Sequence, residues 1–255
     1  GTNWSNPWYK WFLNFFTDPY FGRLLKNTFM ISGLTILFGF PAPIILALMI
    51  NEVKNSAFKR TVQTITYMPY FISMVVLCGL LKTFSMQDGL FSQIATVFGG
   101  KAQNFLANPN YFRTIYVLSD IWSGIGWNSI IYLAALSSID QEQYEAARVD
   151  GANRFQQMLH ITLPGLVPTI MILFILRMGN ILNVGYEKIL LLYNSATYST
   201  ADVISTYTYR LSFGGSGNPM YSKSTAIGLF NTIINVVFLM LTNMISKKAT
   251  DAGLF

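Results

Sequence analysis

Long apolar runs separated by polar connectors dominate this 255-residue sequence. A membrane-spanning helix needs about 20 mainly apolar residues, because the hydrocarbon core of a bilayer is about 30 Å thick. Five runs come close to or exceed that length, at residues 27–50, 61–81, 111–136, 166–184 and 225–245. The pattern therefore predicts an all-α polytopic membrane protein with five spans.

The composition favours a membrane protein over a soluble one. Hydrophobic residues make up 52% of the chain and charged residues 11%, whereas a soluble domain carries about a quarter charged residues. The formal net charge is +6, but the basic residues are scattered over the connectors. That distribution is typical of loops beside membrane helices and argues against nucleic-acid binding.

The connectors divide between two sides of the membrane. With five spans, residues 51–60, 137–165 and the tail share one side, and residues 1–26, 82–110 and 185–224 share the other. Lys and Arg are more numerous on the second side, but their number per residue is higher on the first. The loops of the first side are short, and the positive-inside rule counts short loops best. We therefore predict that the first side is cytoplasmic, with an aromatic, interfacial lead-in at 1–26 on the external side.

Side chains for catalysis or metal binding are scarce. The chain has one histidine, His160, and one cysteine, Cys78, which together cannot complete a structural zinc site. The single cysteine also excludes a disulfide framework. We therefore expect no catalytic residue and no metal site in this chain.

The connector at 137–165 is unusually rich in charge and turn signals. Ser138 followed by Gln141, and Asn153 followed by Gln156, match the spacing of helix capping boxes. Gly151 stands where the end of a helix needs a positive φ. The pattern predicts two short helices joined by a glycine corner.

Two uses of this connector fit its residues. An amphipathic helix resting on lipid is the commoner one. Ala146 and Ala147, however, present a small face, and the charges alternate in sign, which suits a groove on another protein. Pro164 is expected to stop or redirect the second helix before the next span.

The same residues carry a resemblance to a known family. The segments Glu145-Ala146-Ala147, Asp150-Gly151-Ala152, Phe155-Gln156 and Ile161-Thr162-Leu163-Pro164 resemble the EAA loop of ABC importer permeases of the carbohydrate type. The resemblance implies a type I, MetI-like transmembrane domain whose loop is cytoplasmic and docks in a cleft of an ATPase. The docking residues it implies are Glu145, Ala146, Ala147, Asp150, Gly151, Ala152, Phe155, Leu163 and Pro164.

The resemblance also implies an assembly. A permease of this family works with a second permease, two ATPase subunits that bind ATP and magnesium, and an external solute-binding protein, in the bacterial cytoplasmic membrane. This chain would be a single permease domain over 1–255 without a cofactor of its own, and the first helix of the family has no counterpart in it. The segment from Tyr186 to Ile189 and residues 200–209 resemble oligosaccharide and polysaccharide permeases of the LplB type.

Polar residues within the apolar runs are candidates for a solute pathway, because polar groups at membrane depth are costly. The 3, 3 and 4 spacing of Arg177, Asn180, Asn183 and Glu187 predicts one face of a single helix. The other candidates are Asp120, Trp122 and Asn128 on the third span, Tyr186, and Asn231 and Asn235 on the last span.

Several alternatives stay open at this point. Asparagines often bond one membrane helix to another, Asp120 and Arg177 would form a buried ion pair, and Trp122 would serve packing better than sugar stacking. For the whole chain, the alternatives to an oligosaccharide permease are the same fold moving another solute, such as an amino acid or phosphate, and a polytopic scaffold without transport.

Overall fold

The computed structural model describes residues 7–214, 219–250 and 253–254, and every regular element in those ranges is helical. This confirms the all-α prediction. The first seven helices are α1 (Lys10–Phe16), α2 (Phe21–Leu34), α3 (Pro41–Glu52), α4 (Ser56–Tyr67), α5 (Met74–Ser85), α6 (Leu90–Val97) and α7 (Pro109–Ser137). The others are α8 (Gln141–Val149), α9 (Arg154–Gln157), α10 (Leu163–Met178), α11 (Tyr186–Leu192), α12 (Tyr198–Ala201), α13 (Ile204–Phe213) and α14 (Tyr221–Thr250).

Short 3₁₀ and π segments connect some of these helices. The π segments are Thr35–Gly39, which joins α2 to α3, and Met158–Thr162, which joins α9 to α10. The 3₁₀ segments are Met68–Phe71, Phe105–Ala107 and Ser195–Thr197.

Four helical stretches in the described residues are long and apolar enough to cross a membrane: Phe21–Glu52, Met74–Val97, Arg154–Met178 and Tyr221–Thr250. The predicted spans 27–50 and 225–245 are confirmed within the first and last of these. The predicted span 166–184 begins earlier and ends earlier than expected. Helix α7 covers the predicted span 111–136 with 29 residues but is not among the four.

The predicted span 61–81 is wrong, because the helix breaks in its middle. Helix α4 ends at Tyr67, and α5 begins only at Met74. Pro69 lies in the 3₁₀ segment between them, and the Ser73 hydroxyl accepts a hydrogen bond from the Val76 N–H at 3.4 Å. A proline followed by a serine cap starts a new helix even within an apolar run.

The chain divides into two compact units. The first, called here the anchored unit, comprises residues 1–35, 72–119 and 180–236. Its core packs Phe15, Leu24, Ile204 and Ile227 together, so α1, α2, α13 and α14 meet there. Residues 1–6 of the predicted lead-in and 215–218 of the predicted external segment lie outside the described ranges.

The second unit, called here the loop unit, comprises residues 36–71, 120–179 and 237–255. Its core packs Ala47 of α3, Tyr132 and Leu136 of α7, and Leu166 of α10. The 137–165 connector joins α7 to α10, so its helices are attached to this core at both ends. The assignment of residues 1–255 to a single permease domain stays a prediction.

Candidate functional site

Helix α8, the first helix of the 137–165 connector, begins two residues later than the sequence suggested. Its cap is Asp140, whose side chain accepts a hydrogen bond from the Glu142 N–H at 3.0 Å. The predicted cap Ser138 is wrong, because its hydroxyl donates to the Ala135 carbonyl at 2.8 Å. Aspartate is as good a cap as serine, and here it also places a negative charge at the helix start.

The glycine corner is confirmed. Gly151 has φ +79°, in the left-handed region that favours glycine. The Ala152 N–H donates to the Ala147 carbonyl at 2.8 Å, and the Gly151 N–H donates to the Arg148 carbonyl at 3.1 Å. These two bonds form a Schellman motif, which satisfies carbonyls that the end of α8 would otherwise leave unpaired.

The second cap of the connector is also confirmed. The Asn153 side chain accepts from the Gln156 N–H at 2.9 Å, and the Gln156 side chain accepts from the Asn153 N–H at 2.8 Å. Both partners of this capping box lie within four residues of sequence. Helix α9 therefore starts at a position that is fixed locally.

Of the two outcomes expected at Pro164, a stop or a change of direction, the stop is wrong. Arg154–Met178 runs as one helical stretch, with the π segment Met158–Thr162 before Pro164. Pro164 lies in the first turn of α10. The irregular turn changes the hydrogen-bond pattern just before the proline, whose missing N–H is tolerated there.

The residues assigned to docking lie on an open surface. Glu145, Ala146, Asp150, Gly151, Phe155 and Pro164 are exposed, and Ala147, Ala152 and Leu163 are half-buried. A shallow concavity of about 310 Å³ brings together Ala147, Asp150, Gly151 and Ala152. The neighbouring Val149 and Phe155 are 87% and 65% exposed. Apolar side chains this open, beside a concavity, are typical of a surface that another protein covers.

A larger, polar cleft lies in the same unit. It has a volume of about 850 Å³, and its lining includes Glu52, Lys54, Arg148 and Arg154. Arg154 and Glu52 lie 3.9 Å apart with exposed side chains, an arrangement that contributes little stability. Within the connector, a 2.9 Å hydrogen bond between the hydroxyls of Tyr144 and Thr162 joins α8 to the π segment Met158–Thr162.

Four of the predicted pathway residues belong to the loop unit. Asp120, Trp122 and Asn128 lie on α7, and Arg177 lies in the last turn of α10. Asp120 and Asn128 are eight residues apart and share a face of α7. Trp122, Asn128 and Arg177 are exposed, which leaves their side chains open to a solute or a partner.

The predicted polar stripe on one helix is wrong. Helix α10 ends at Met178, and α11 begins at Tyr186, so Arg177 and Glu187 lie on different helices. Between them, Asn183 donates to Asn180 Oδ1 at 3.2 Å within a turn. Glycine and asparagine favour turns over helix interiors, and the sequence from Gly179 to Gly185 is rich in both.

The remaining pathway candidates lie in the anchored unit. Asn180, Asn183, Tyr186 and Glu187 are exposed. Asn235 is buried, and its Oδ1 accepts from the Leu182 N–H at 3.1 Å, so this side chain joins α14 to the turn before α11. The Oδ1 atom of Asn231 is buried and has no hydrogen-bond partner among the described residues.

A polar network that the sequence analysis did not single out fixes the anchored unit. Asn27 donates to the Asp202 carbonyl at 2.9 Å, and Arg113 donates to Asn27 Oδ1 at 2.8 Å. Asp202 is 1% exposed and accepts two bonds of 2.7 Å from the Arg210 guanidinium. Burial opposes the charge on Arg210, but its hydrogen bonds with Asp202 and Tyr193 outweigh that, so its pKa lies above the ordinary value.

A second ion pair ties α14 to the start of the chain. Asp18 accepts from Lys223 Nζ at 2.7 Å and from the Tyr207 hydroxyl at 2.5 Å. Burial alone would raise the pKa of Asp18, but hydrogen bonds from Lys223, Tyr207 and the Tyr20 N–H lower it below its ordinary value. The carboxylate is therefore held in its charged form.

The structure also shows two groups of exposed aromatic side chains. Of their members, only Tyr186 was predicted as a site residue from the sequence. In the loop unit, Tyr70 and Trp127 stack with ring centroids 4.7 Å apart, and Phe71 meets Trp127 edge-on. In the anchored unit, Tyr209 contacts both Tyr186 and Phe213. The four-residue spacing of Tyr209 and Phe213 was a usable signal for a shared helix face.

Comparisons with known proteins identify relatives among membrane transport proteins. A family model described as "Binding-protein-dependent transport system inner membrane component" matches residues 39–251. Protein LplB of Bacillus subtilis (strain 168) is 42% identical over 255 residues, which is 99% of this chain and 79% of LplB. The polygalacturonan/rhamnogalacturonan transport system permease protein YteP of the same organism is 40% identical, over 96% of this chain and 76% of YteP.

Solved structures are similar to this chain at a comparable level of sequence identity. Chains in two crystal structures of bacterial alginate ABC transporters are 47% identical to this chain, with a TM-score of 0.90, over 95% of this chain and 84% of those chains. One describes an importer of the acidic polysaccharide alginate. The other contains a periplasmic protein bound to an alginate pentasaccharide. The family model, the relatives and the solved structures thus indicate the same class of protein.

Proposed function

This chain belongs to the family of binding-protein-dependent transport system inner membrane components, and we propose that it is the permease subunit of an ATP-driven oligosaccharide importer. It is a transport protein of the membrane, and the family is not one of enzymes. The observation that carries the proposal is the 40–47% identity over almost the whole chain to YteP and to the alginate transporter chains, whose names include a polysaccharide.

The 137–165 connector is the proposed site of coupling to an ATPase. Its glycine corner, its capping box and the exposed Phe155 give it a defined shape that does not depend on a bound partner. A preformed element loses little conformational entropy on docking. ATP and magnesium bind to two partner ATPase subunits in this proposal, and closure of those subunits moves the permease between inward and outward access.

The other proposed partners follow from the family and its description. A second permease completes the membrane domain, and an external solute-binding protein delivers the oligosaccharide. The complex of an alginate transporter with its saccharide-bound periplasmic protein supports this arrangement. The proposed location is the bacterial cytoplasmic membrane, with the connector on the cytoplasmic side.

An acidic oligosaccharide is the first substrate to test. The import of alginate by a transporter whose permease chain is 47% identical to this one favours that class. The chain also carries a net charge of +6 and an exposed Arg177, and positive charge favours the approach of an anionic solute.

Reconstitution tests the proposal. The permease pair, ATPases and binding protein would be placed in proteoliposomes, and ATP hydrolysis and uptake would be measured with oligogalacturonate, alginate oligomers, maltotriose, histidine and phosphate. We expect at least one glycan to stimulate both activities. If only histidine or only phosphate stimulated uptake and ATP hydrolysis, the substrate would be that solute and not an oligosaccharide. ATP hydrolysis that no solute changes would favour a scaffold without transport.

A further inference from the structure

Three exposed aromatic side chains form a row on the anchored unit. Tyr186 on α11 and Tyr209 and Phe213 on α13 are 48%, 40% and 75% exposed. The ring centroids of Tyr186 and Tyr209 are 6.0 Å apart, and those of Tyr209 and Phe213 are 5.5 Å apart. These three residues are called here the aromatic ladder, because each ring contacts the next.

The ladder differs from the aromatic core of the same unit. In that core, Phe15 meets Phe21 and Phe230 at interplanar angles of 89° and 65°. Consecutive ladder rings are tilted by only 30° and 44°. Smaller tilts bring the planes of successive rings closer to parallel, and the three side chains are exposed, whereas Phe15 in the core is fully buried.

The helices that carry the ladder are fixed in place. At the start of α13, the Ile204 N–H donates to Thr28 Oγ1 at 3.1 Å. Arg210, which lies between the two ladder residues of α13, is paired twice with Asp202. On α11, the buried Lys188, two residues after Tyr186, donates from Nζ to the Tyr116 carbonyl at 3.1 Å.

One further bond links the two ladder helices. The Ser205 hydroxyl of α13 donates to the Val184 carbonyl just before α11, at 3.3 Å. The backbone positions of the three rings are therefore set before any ligand arrives. A preorganised row of rings loses little freedom when a ligand binds to it.

We propose that the aromatic ladder is a stacking track that holds consecutive sugar rings of a linear oligosaccharide. The C–H faces of a pyranose are apolar and pack on aromatic faces, while its hydroxyls stay at the ring edge, where polar groups and water reach them. The spacing of the ladder rings is comparable to the length of one sugar residue in an extended chain. The exposed Asn183 and Glu187, three residues before and one residue after Tyr186, would supply hydrogen-bonding groups near that end.

This inference rests on the proposed function and adds a prediction about chain length. A disaccharide covers only part of the ladder, whereas a longer oligosaccharide covers all three rings. The contribution of each ring therefore increases with the number of sugar residues. A surface used for lipid or for the second permease would show no such dependence.

The test is a binding measurement on the permease–ATPase complex purified without the binding protein, so that the ladder is titrated directly. Oligogalacturonates from two to six residues would be titrated by saturation-transfer NMR, with alginate oligomers as a second series. The variants are Tyr209→Leu and Phe213→Leu, which remove a ring but keep an apolar side chain, and Tyr209→Phe, which keeps the ring. Phe98→Leu is the matched control, because Phe98 is 85% exposed in the same unit and lies outside the ladder.

We expect each leucine variant to weaken hexasaccharide binding about three- to tenfold, to change disaccharide binding much less, and to leave assembly with the ATPase intact. Tyr209→Phe and Phe98→Leu should bind like the wild type. Four results would overturn the ladder proposal alone. They are equal losses of binding for all oligosaccharide lengths, equal effects of Tyr209→Leu and Tyr209→Phe, loss of assembly with the ATPase, and no change in binding. A wild-type complex that neither binds nor transports any glycan would overturn the proposed function, and the ladder with it.

Discussion

The 137–165 connector and the segment from 185 to 213 are held together in opposite ways. In the connector, the caps and the glycine corner pair residues within five positions of each other. In the segment, Asn27 bonds to Asp202 across 175 residues, and Asp18 bonds to Tyr207 across 189. The connector is mostly exposed, whereas Asp202 and Ile204 of the segment are buried.

This difference fits different tasks. The proposed docking element would need a defined local shape that few ties to the rest of the chain restrain. The proposed row of ligand-binding rings would need fixed positions, which long-range buried hydrogen bonds provide. Mutations in the connector should therefore affect coupling, and mutations of the buried hydrogen-bonding residues in the segment should affect stability.

Gly151→Val is expected to have the largest effect on function. Valine is strained at φ +79°, so the corner between α8 and α9 should change shape, although a Cβ at this position meets no neighbouring atom. Uptake and solute-stimulated ATP hydrolysis should fall to background while membrane insertion continues. Both activities would be measured in proteoliposomes.

Gly99 provides a matched control for that variant. It has φ +80°, and a Cβ there also meets nothing within 4 Å. Gly99→Val therefore carries the same backbone strain in the anchored unit, and it should leave coupling largely intact. Equal losses of uptake in the two variants would remove the special role of the connector.

Asp202→Ala should give the largest loss of stability. It leaves the half-buried Arg210 without its carboxylate, and breaking a buried pair in this way costs about 3 kcal/mol. A fall in the midpoint of thermal unfolding of the purified complex would measure it. Glu52→Ala, which breaks the exposed pair with Arg154, should cost less than about 1 kcal/mol, and a larger loss than for Asp202→Ala would reverse the comparison.

Local signals explain what the sequence could predict. The positive φ of Gly151 and the cap at Asn153 depend on nearest neighbours, so their residue types and spacing were sufficient. The same reasoning failed at Ser138, because Asp140 offered an equally good cap two residues later. Motif spacing predicts that a capped helix is present more reliably than it predicts the residue at which the helix begins.

Long-range pairing explains what could not be predicted. Nothing near Asp202 indicates that Asn27 binds its carbonyl, because the two residues meet only in the folded chain. The stripe from Arg177 to Glu187 failed for another reason. Helical spacing was extended across Gly179 and Asn183, although both residues favour turns.

Asn153→Ala tests whether the connector is stabilised locally. Loss of this cap should cost about 1 kcal/mol at the start of α9, which should appear as faster hydrogen exchange in Arg154–Gln157 and a partial loss of coupled ATP hydrolysis. Asn104→Ala, which removes a cap in the anchored unit, should leave exchange in α9 unchanged. Faster exchange throughout the loop unit after Asn153→Ala would contradict a local role.

The smallest expected effect is a pH dependence in the anchored unit. Because hydrogen bonds hold the pKa of Asp18 below its ordinary value of 3.8, its stabilising contribution is complete above that value and is lost as pH falls through the lowered pKa. The difference in thermal midpoint between the wild type and Asp18→Asn should therefore be constant near neutral pH and shrink as the pH falls below 3.8. Asp88→Asn, at an exposed position of the same unit, should leave the midpoint close to that of the wild type throughout. A wild-type advantage over Asp18→Asn that persists undiminished at the lowest pH would mean that the charge of Asp18 does not stabilise the contact with Lys223.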